Sequence, residues 1–393
     1  MIFSFAKIGN LALENRLIRA ATFEGLCDQK GNPGKAYAEF YGYLAKQEIG
    51  AIITGFAFVE KEGRAVHPGQ AGIDEIDKIP LFQNVTDRVH QEGGKIILQI
   101  AHTGRQTSSK ATGGKVWGVS GKKSPYFQSE PQMLDHDKIT EIIHHFAMSS
   151  CYAREAGFDG IQLHGAHGYL IHQFLDPKIN RRADIFGNRT EFLHRVIAAI
   201  REKCGVDFPL LIKISADEKD RKGFRKTIAF LDTQPVDAIE ISYGSMENAL
   251  NIFRGKSLPL DIISLYNFRY RSENPVRRWL WKKLAAPVLS RKIIAFSPTY
   301  NLEYAKIARE LTSKPIICVG GFRSGTEIEH ALSKRDTDFV SLCRPLLCEP
   351  DFVKKLKKDI RYRSKCQDCN ICAVMCDSEF ATRCYHGHED WNH

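Results

Sequence analysis

Two imidazoles and a phenol crowd one short stretch, His164-Gly-Ala-His167-Gly-Tyr169, which continues as Leu-Ile-His172-Gln-Phe-Leu-Asp-Pro. Side chains of these types grip an oxygen and deliver a proton: imidazole N–H groups hold a carbonyl, and a placed phenol is a general acid. The preceding run, Asp159-Gly-Ile-Gln-Leu, reads as a buried strand, so His164 stands at its C-terminal tip. Parallel α/β folds gather their chemistry at such tips. Two other readings stay open, His164, His167 and His172 as metal ligands or as imidazoles satisfied in the core. Neither accounts for Tyr169, and no carboxylate is spaced to complete a metal set.

The elements that must position this stretch form a regular series. Eight apolar runs rich in β-branched residues occupy 16–21, 51–55, 95–100, 160–164, 210–214, 238–242, 316–319 and 339–342. Most are separated by enough chain for a helix, and 139–156 shows apolar residues three and four apart. Alternation of this kind predicts an α/β fold of the (β/α)8 TIM barrel type. The residues just past the runs then converge on one mouth: Thr22, Thr54-Gly55, Gln99, His102, His164, Lys213, Ser242, Gly320-Gly321 and Cys343-Arg344.

Gly320-Gly321 and Cys343-Arg344 follow runs seven and eight, where barrels place a phosphate on backbone N–H groups and a cation. Gln99 offers donor and acceptor to a heterocycle, and Lys213 offers a positive charge beside a ring that turns anionic on reduction. Those are the needs of a flavin. The plain alternative for Lys213 is a core lysine paired with Glu240, since a buried ammonium requires an anion in either case.

At 393 residues and 43% hydrophobic content, the chain is sized for a globular enzyme. Its start lacks the basic and apolar regions of a signal peptide, and no run of 18 apolar residues occurs, so a cytoplasmic protein is expected. Two stretches exceed ordinary loops. Residues 103–133 are rich in Gly, Ser, Thr and Lys, and 244–298 read as a lid. Within the second, 254–292 hold ten of the chain's Lys and Arg against only Asp261 and Glu273. Five of the eleven cysteines, Cys366, Cys369, Cys372, Cys376 and Cys384, crowd the last segment, which suggests metal ligation. The expected organisation is a barrel over 1–360 followed by a cysteine-rich extension over 361–393.

From Asn15 to Leu346 the chain resembles the old yellow enzyme family of FMN-dependent oxidoreductases, also called NADH:flavin oxidoreductases. The likeness rests on Asn15-Arg16, Gln99-Ile-Ala-His102-Thr-Gly104-Arg105, His164 through Pro177, Asn180-Arg-Arg182-Ala-Asp184, Gly320-Gly321 and Arg344-Pro345-Leu346. It implies that Ala21, Thr22, Gly55, Gln99, Lys213, Gly320, Gly321, Cys343 and Arg344 bind FMN. It further implies that His164 and His167 hold the substrate oxygen and that Tyr169 is the proton donor. Hydride would pass from flavin N5 to the β carbon of an activated alkene. Where many members have Pro-Met then Thr or Cys beside the flavin, this chain has Ala21-Thr22-Phe23, which shifts the hydroxyl by one position.

Cys366-x2-Cys369-Asn370-x-Cys372, with Cys384 after eleven intervening residues, suits a 4Fe-4S cluster, whereas zinc more often shows two separated pairs. It is similar to the iron–sulfur branch of the family, which includes 2,4-dienoyl-CoA reductase, 2-enoate reductase and trimethylamine dehydrogenase. A second register, Cys369, Cys372, Cys376 and Cys384, stays open. Nine residues follow Cys384, so the expected electron source is a separate acidic carrier docked on 254–292, with NAD(P)H as the other donor. That basic segment could instead bind an acyl-CoA, lie on an anionic membrane through Trp279 and Trp281, or be a solvated lid. The expected substrate is a small α,β-unsaturated carbonyl or acyl compound. Nucleic acid is not expected and a membrane is not the preferred partner; a homo-oligomer stays open. Amine oxidation by the same flavin, or electron relay without an organic substrate, are the alternative functions.

Overall fold

The computed structural model describes residues 1–252, 254–291 and 293–387. Lys292 of the basic segment and His388 and His393 near the C-terminus lie outside these residues.

Each of the eight predicted runs holds a parallel strand: Leu17–Arg19, Ala51–Ile53, Ile96–Ala101, Gly160–Gly165, Leu210–Ala216, Ala238–Tyr243, Ile316–Val319 and Phe339–Leu342. The eighth pairs with the first, Ser341 opposite Ile18, so the sheet closes into a barrel. Helices cover it from outside. His136–Glu155 starts at Asp135, whose carboxylate accepts the Lys138 N–H at 2.8 Å, and buries Ile139, Ile142, Phe146 and Ala153 against the barrel. That face is the three-and-four spacing visible in the sequence.

Period-two alternation sorts the strand residues into two cores. Outward-facing Leu98, Leu163 and Ile212 join the helices in the larger one. Inward-facing Ile18, Ile53, Ile97, Leu211, Ile317 and Phe339 fill one end of the barrel with the hairpin of Ala6–Ile8 and Leu11–Leu13, a plug that the sequence reading did not anticipate. Two residues further along the same strands the inward positions turn polar. Gln99, Gln162, Lys213, Glu240 and Ser341 form the next layer, toward the C-terminal mouth.

Both long stretches build over that mouth. Residues 103–133 carry the short helix Ser109–Thr112 and a two-residue pairing of Trp117–Gly118 with Gln132–Met133. The 244–298 insertion carries helices Leu260–Tyr266, Pro275–Leu284 and Ala286–Ser290. Its first helix packs on Ile371–Met375 of the cysteine-rich segment. Among the described residues, no helix is long and apolar enough to cross a membrane.

Candidate active site

The polar layer is one hydrogen-bonded network. Gln99 Nε2 donates to Gln162 Oε1 at 2.7 Å, and Gln162 Nε2 donates to Glu240 Oε2 at 2.8 Å. Ser341 donates to the other oxygen of Glu240, and Lys213 Nζ lies 3.2 Å from Glu240 Oε2. The core-lysine alternative for Lys213 is therefore met, and the same side chain lines the cavity above. Each polar atom in such a layer needs a partner, because burying it unpaired costs about 1–3 kcal/mol.

Above this floor lies a cavity of about 230 Å³ lined by Ala21, Thr22, Gln99, His164, His167, Tyr169 and Lys213, among others. His164 and Tyr169 stand ring to ring, centroids 4.6 Å apart, and His167 is 5.1 Å from His164. Phe56, absent from the sequence reading, packs edge-on against both His164 and Tyr169 and walls the cavity. The Ala166 N–H donates to His164 Nδ1 at 3.4 Å, which leaves the Nε2–H of the neutral ring as a donor. His167 Nε2 is 2.9 Å from Ser242 Oγ. Its backbone adopts φ of +57°, an uncommon state for a non-glycine residue, held by its N–H bond to Ser215 Oγ at 3.0 Å.

Burial sets the protonation of all three. It pulls His164 down to about 3, with the Lys213 charge adding to the effect, and pulls His167 well down, with His164 and Lys213 adding. Both rings are neutral donors or acceptors near neutral pH. Burial raises the Tyr169 phenol, and the charge of Asp377 adds to this, so it stays protonated. His172 does not join them: its Nδ1 accepts the Gly168 N–H at 2.8 Å and its ring faces a different cavity. Among the described residues these three histidines form no metal-binding group.

Gly320 and Gly321, with φ of +121° and +87°, border a side pocket with Cys343, Arg344 and Arg323. A Cβ on Gly320 would come within 2.6 Å of Tyr300 and Asn301, so only glycine leaves this cradle open. Asn301, 2% exposed, donates to the Val319 carbonyl, while its Oδ1 has no hydrogen-bond partner among the described residues. An orphaned acceptor lining the cavity beside a glycine cradle and an arginine fits a polyhydroxylated phosphate ester such as FMN. Thr22 turns its hydroxyl to the Ala20 carbonyl and lies 3.3 Å from Cys343 Sγ. Gly55 sits behind the cavity, its N–H on the Tyr41 hydroxyl, and His102 is held against Glu60 at 2.8 Å. Neither of these two lines the cavity.

Cys366, Cys369, Cys372 and Cys384 surround a second cavity of about 290 Å³, together with Cys348, which lies outside the cysteine-rich last segment. Cys376 does not line it and faces the first cavity, which Cys372 also borders. Among the described residues no three of these sulfurs lie within 4.8 Å of one another. Four thiolates around one zinc ion at bond lengths of about 2.3 Å would be closer than that. A ring of cysteine sulfurs around one cavity is the donor set of a polynuclear iron–sulfur cluster.

The roof comes from three separate stretches that meet at Asp377. Tyr126 of the first insertion donates to its carboxylate at 2.6 Å, Asn267 of the second does so at 3.2 Å, and His67 lies 3.7 Å away. Burial raises this carboxyl group. No sequence motif marked Asp377, because its partners are 110 or more residues distant in the chain.

A closed barrel whose mouth carries this floor, imidazole pair, phenol and glycine cradle has the arrangement of a flavin oxidoreductase. The chain belongs to the NADH:flavin oxidoreductase / NADH oxidase family, whose model matches residues 1–250 and 276–363. It is 30% identical over 386 residues to an NADH oxidase of Thermoanaerobacter brockii, covering 94% of this chain and 53% of that protein. A 4,4'-dithiodibutanoate disulfide reductase of Rhodococcus erythropolis is 29% identical, covering 94% of this chain and 92% of the relative. The chain thus spans about half the length of the first relative and most of the second. In fold it matches a 2-naphthoyl-CoA reductase complex at TM-score 0.80 and 22% identity, covering 96% of this chain and 56% of that one. An old yellow enzyme homologue from Zymomonas mobilis matches at 0.71 and 19% identity, covering 94% and 96%.

Proposed function

We propose that the chain reduces the C=C bond of an α,β-unsaturated carbonyl or acyl compound at this mouth, in the cytoplasm. The observation that carries the reading is the pairing of a neutral His164, Nε2–H free to donate, with a protonated Tyr169 at 4.6 Å between rings. Gln99, Lys213, Asn301, the Gly320-Gly321 cradle and Arg344 would hold FMN, which would supply hydride, and Cys366, Cys369, Cys372 and Cys384 would hold a 4Fe-4S cluster, which would supply one-electron exchange.

The residues divide the remaining work. His164 donates to the substrate carbonyl oxygen, and His167, fixed by Ser242 and Ser215, stands beside it to share the charge that develops there. Tyr169 delivers the proton to the α carbon. Its raised pKa keeps the proton on the oxygen until an enolate is there to take it. Phe56 and Phe23 narrow the cavity and exclude water. A relay without an organic substrate has no use for a buried phenol at this position. NAD(P)H and a small acidic carrier protein are the donors we infer, the carrier approaching the cysteine-lined cavity.

The test is Tyr169→Phe, assayed for enone reduction with flavin and iron content measured in parallel. Loss of turnover by about 10²–10⁴ with both cofactors retained supports the assignment. Unchanged turnover overturns it.

A further inference from the structure

One helix of the second insertion is turned the opposite way from an ordinary surface helix. Pro275–Leu284 buries none of its residues, and Val276, Trp279, Leu280 and Leu284 are 62, 56, 42 and 72% exposed. Their spacing of three, one and four places them on one face. Val288, 54% exposed, follows on the adjoining helix. The face toward the protein holds cations instead. Arg278 donates to the carbonyls of Ser272 and Glu273 at 2.9 and 3.1 Å, and Lys282 meets Asp261 at 2.5 Å. Trp281 also turns inward, its ring 5.5 Å from Tyr270, which corrects the expectation that both tryptophans face out.

The segment's positive charge is divided in the same way. Arg254 lies between the rings of Tyr243 and Tyr300, Arg269 lies over Tyr126, and Arg271 pairs with Glu379 at 2.9 Å. Arg277, Lys283 and Arg291 remain exposed and make no ion pair with a described residue. The outward surface is therefore an apolar strip with three unspent cations along it.

We propose that this helix lies in the headgroup layer of an anionic membrane, with Trp279, Leu280 and Leu284 inserted and Arg277, Lys283 and Arg291 on lipid phosphates. An apolar face bordered by Arg277, with Lys283 rising from within it on a stem long enough to reach lipid phosphate, is the pattern of an interfacial helix. A helix that stands on the fold without burying a residue suits a fluid surface, which needs no matching groove. A second copy of the chain is a poorer occupant, because two such helices would bring like charges together and Pro275–Leu284 carries no acidic residue to offset them.

The test is sedimentation of the full-length holoprotein with phosphatidylcholine vesicles, with and without phosphatidylglycerol, across a salt series. The expected result is salt-sensitive binding to the anionic vesicles only, reduced about tenfold or more in Leu280→Ser/Leu284→Ser and in Arg277→Glu/Lys283→Glu. Both pairs are exposed, and flavin content checks that the variants fold. Absence of binding to anionic vesicles overturns the proposal. So does binding that survives both pairs of substitutions, or a concentration-dependent dimer that Leu280→Ser/Leu284→Ser abolishes without any effect on vesicle binding.

Discussion

Lys213 Nζ and Glu240 Oε2 lie 3.2 Å apart inside the barrel, on adjacent strands and directly opposite in register. The pair explains how a cation can stand under the cavity. Glu240 neutralises it from below, and Gln162 and Ser341 satisfy the rest of that carboxylate. The charge is thus held in place at the floor of the cavity by protein groups alone.

Lys213→Met leaves Glu240 buried without its counter-ion. Breaking such a pair from one side costs about 3–5 kcal/mol, whereas replacing both partners is much cheaper. Urea denaturation should show a large loss for Lys213→Met and partial recovery in Lys213→Met/Glu240→Gln. Equal stability of the single variant and the parent would contradict the pairing.

Acid should destabilise the fold well before ordinary carboxylates titrate. Burial, then the Lys213 charge, lowers His164 to about 3 from its usual 6.5, so the unfolded chain binds that proton first. Stability is fully present above about 6.5 and falls as pH drops toward 3. Glu60 adds a second loss below its usual 4.5: burial pushes it up, but His102 and Lys138 outweigh that and hold it at about 2. Urea midpoints followed against pH should therefore decline across this window, and His164→Asn should decline less steeply between 6.5 and 4.5. An identical slope in the variant would show that His164 takes up no proton on unfolding.

Cysteine substitution distinguishes the two cluster registers. Cys366 borders the thiol-lined cavity and Cys376 does not, so Cys366→Ser should lose the iron–sulfur absorbance and Cys376→Ser should keep it. The reverse pattern in visible spectra and iron content would contradict the register.

Much of this was legible because the determinants are local or periodic. Eight apolar runs mark eight strands, and His164, Lys213 and Gln99 were visible as polar residues breaking them. What escaped has a physical reason. Gln162 and Glu240 also break apolar runs, but an inward-facing polar residue is recognisable only when strand register shows its partner. Asp377 and Phe56 act through neighbours far away in the chain. The outward turn of Trp279 and inward turn of Trp281 depend on how the insertion seats on the barrel, which amphipathic spacing alone does not fix. Gly55 follows a strand tip, yet Tyr41 and Glu24 fill the space beside it.

The most direct measurement is an anaerobic visible spectrum of the purified protein, recorded during titration with NADH, then NADPH, then dithionite, and finally with cyclohexenone added. A flavin band should be present at the start, bleach on reduction, and return on addition of the enone. Absence of a flavin band, or a reduced flavin that neither cyclohexenone nor an α,β-unsaturated acyl thioester reoxidises, would contradict an ene-reductase site.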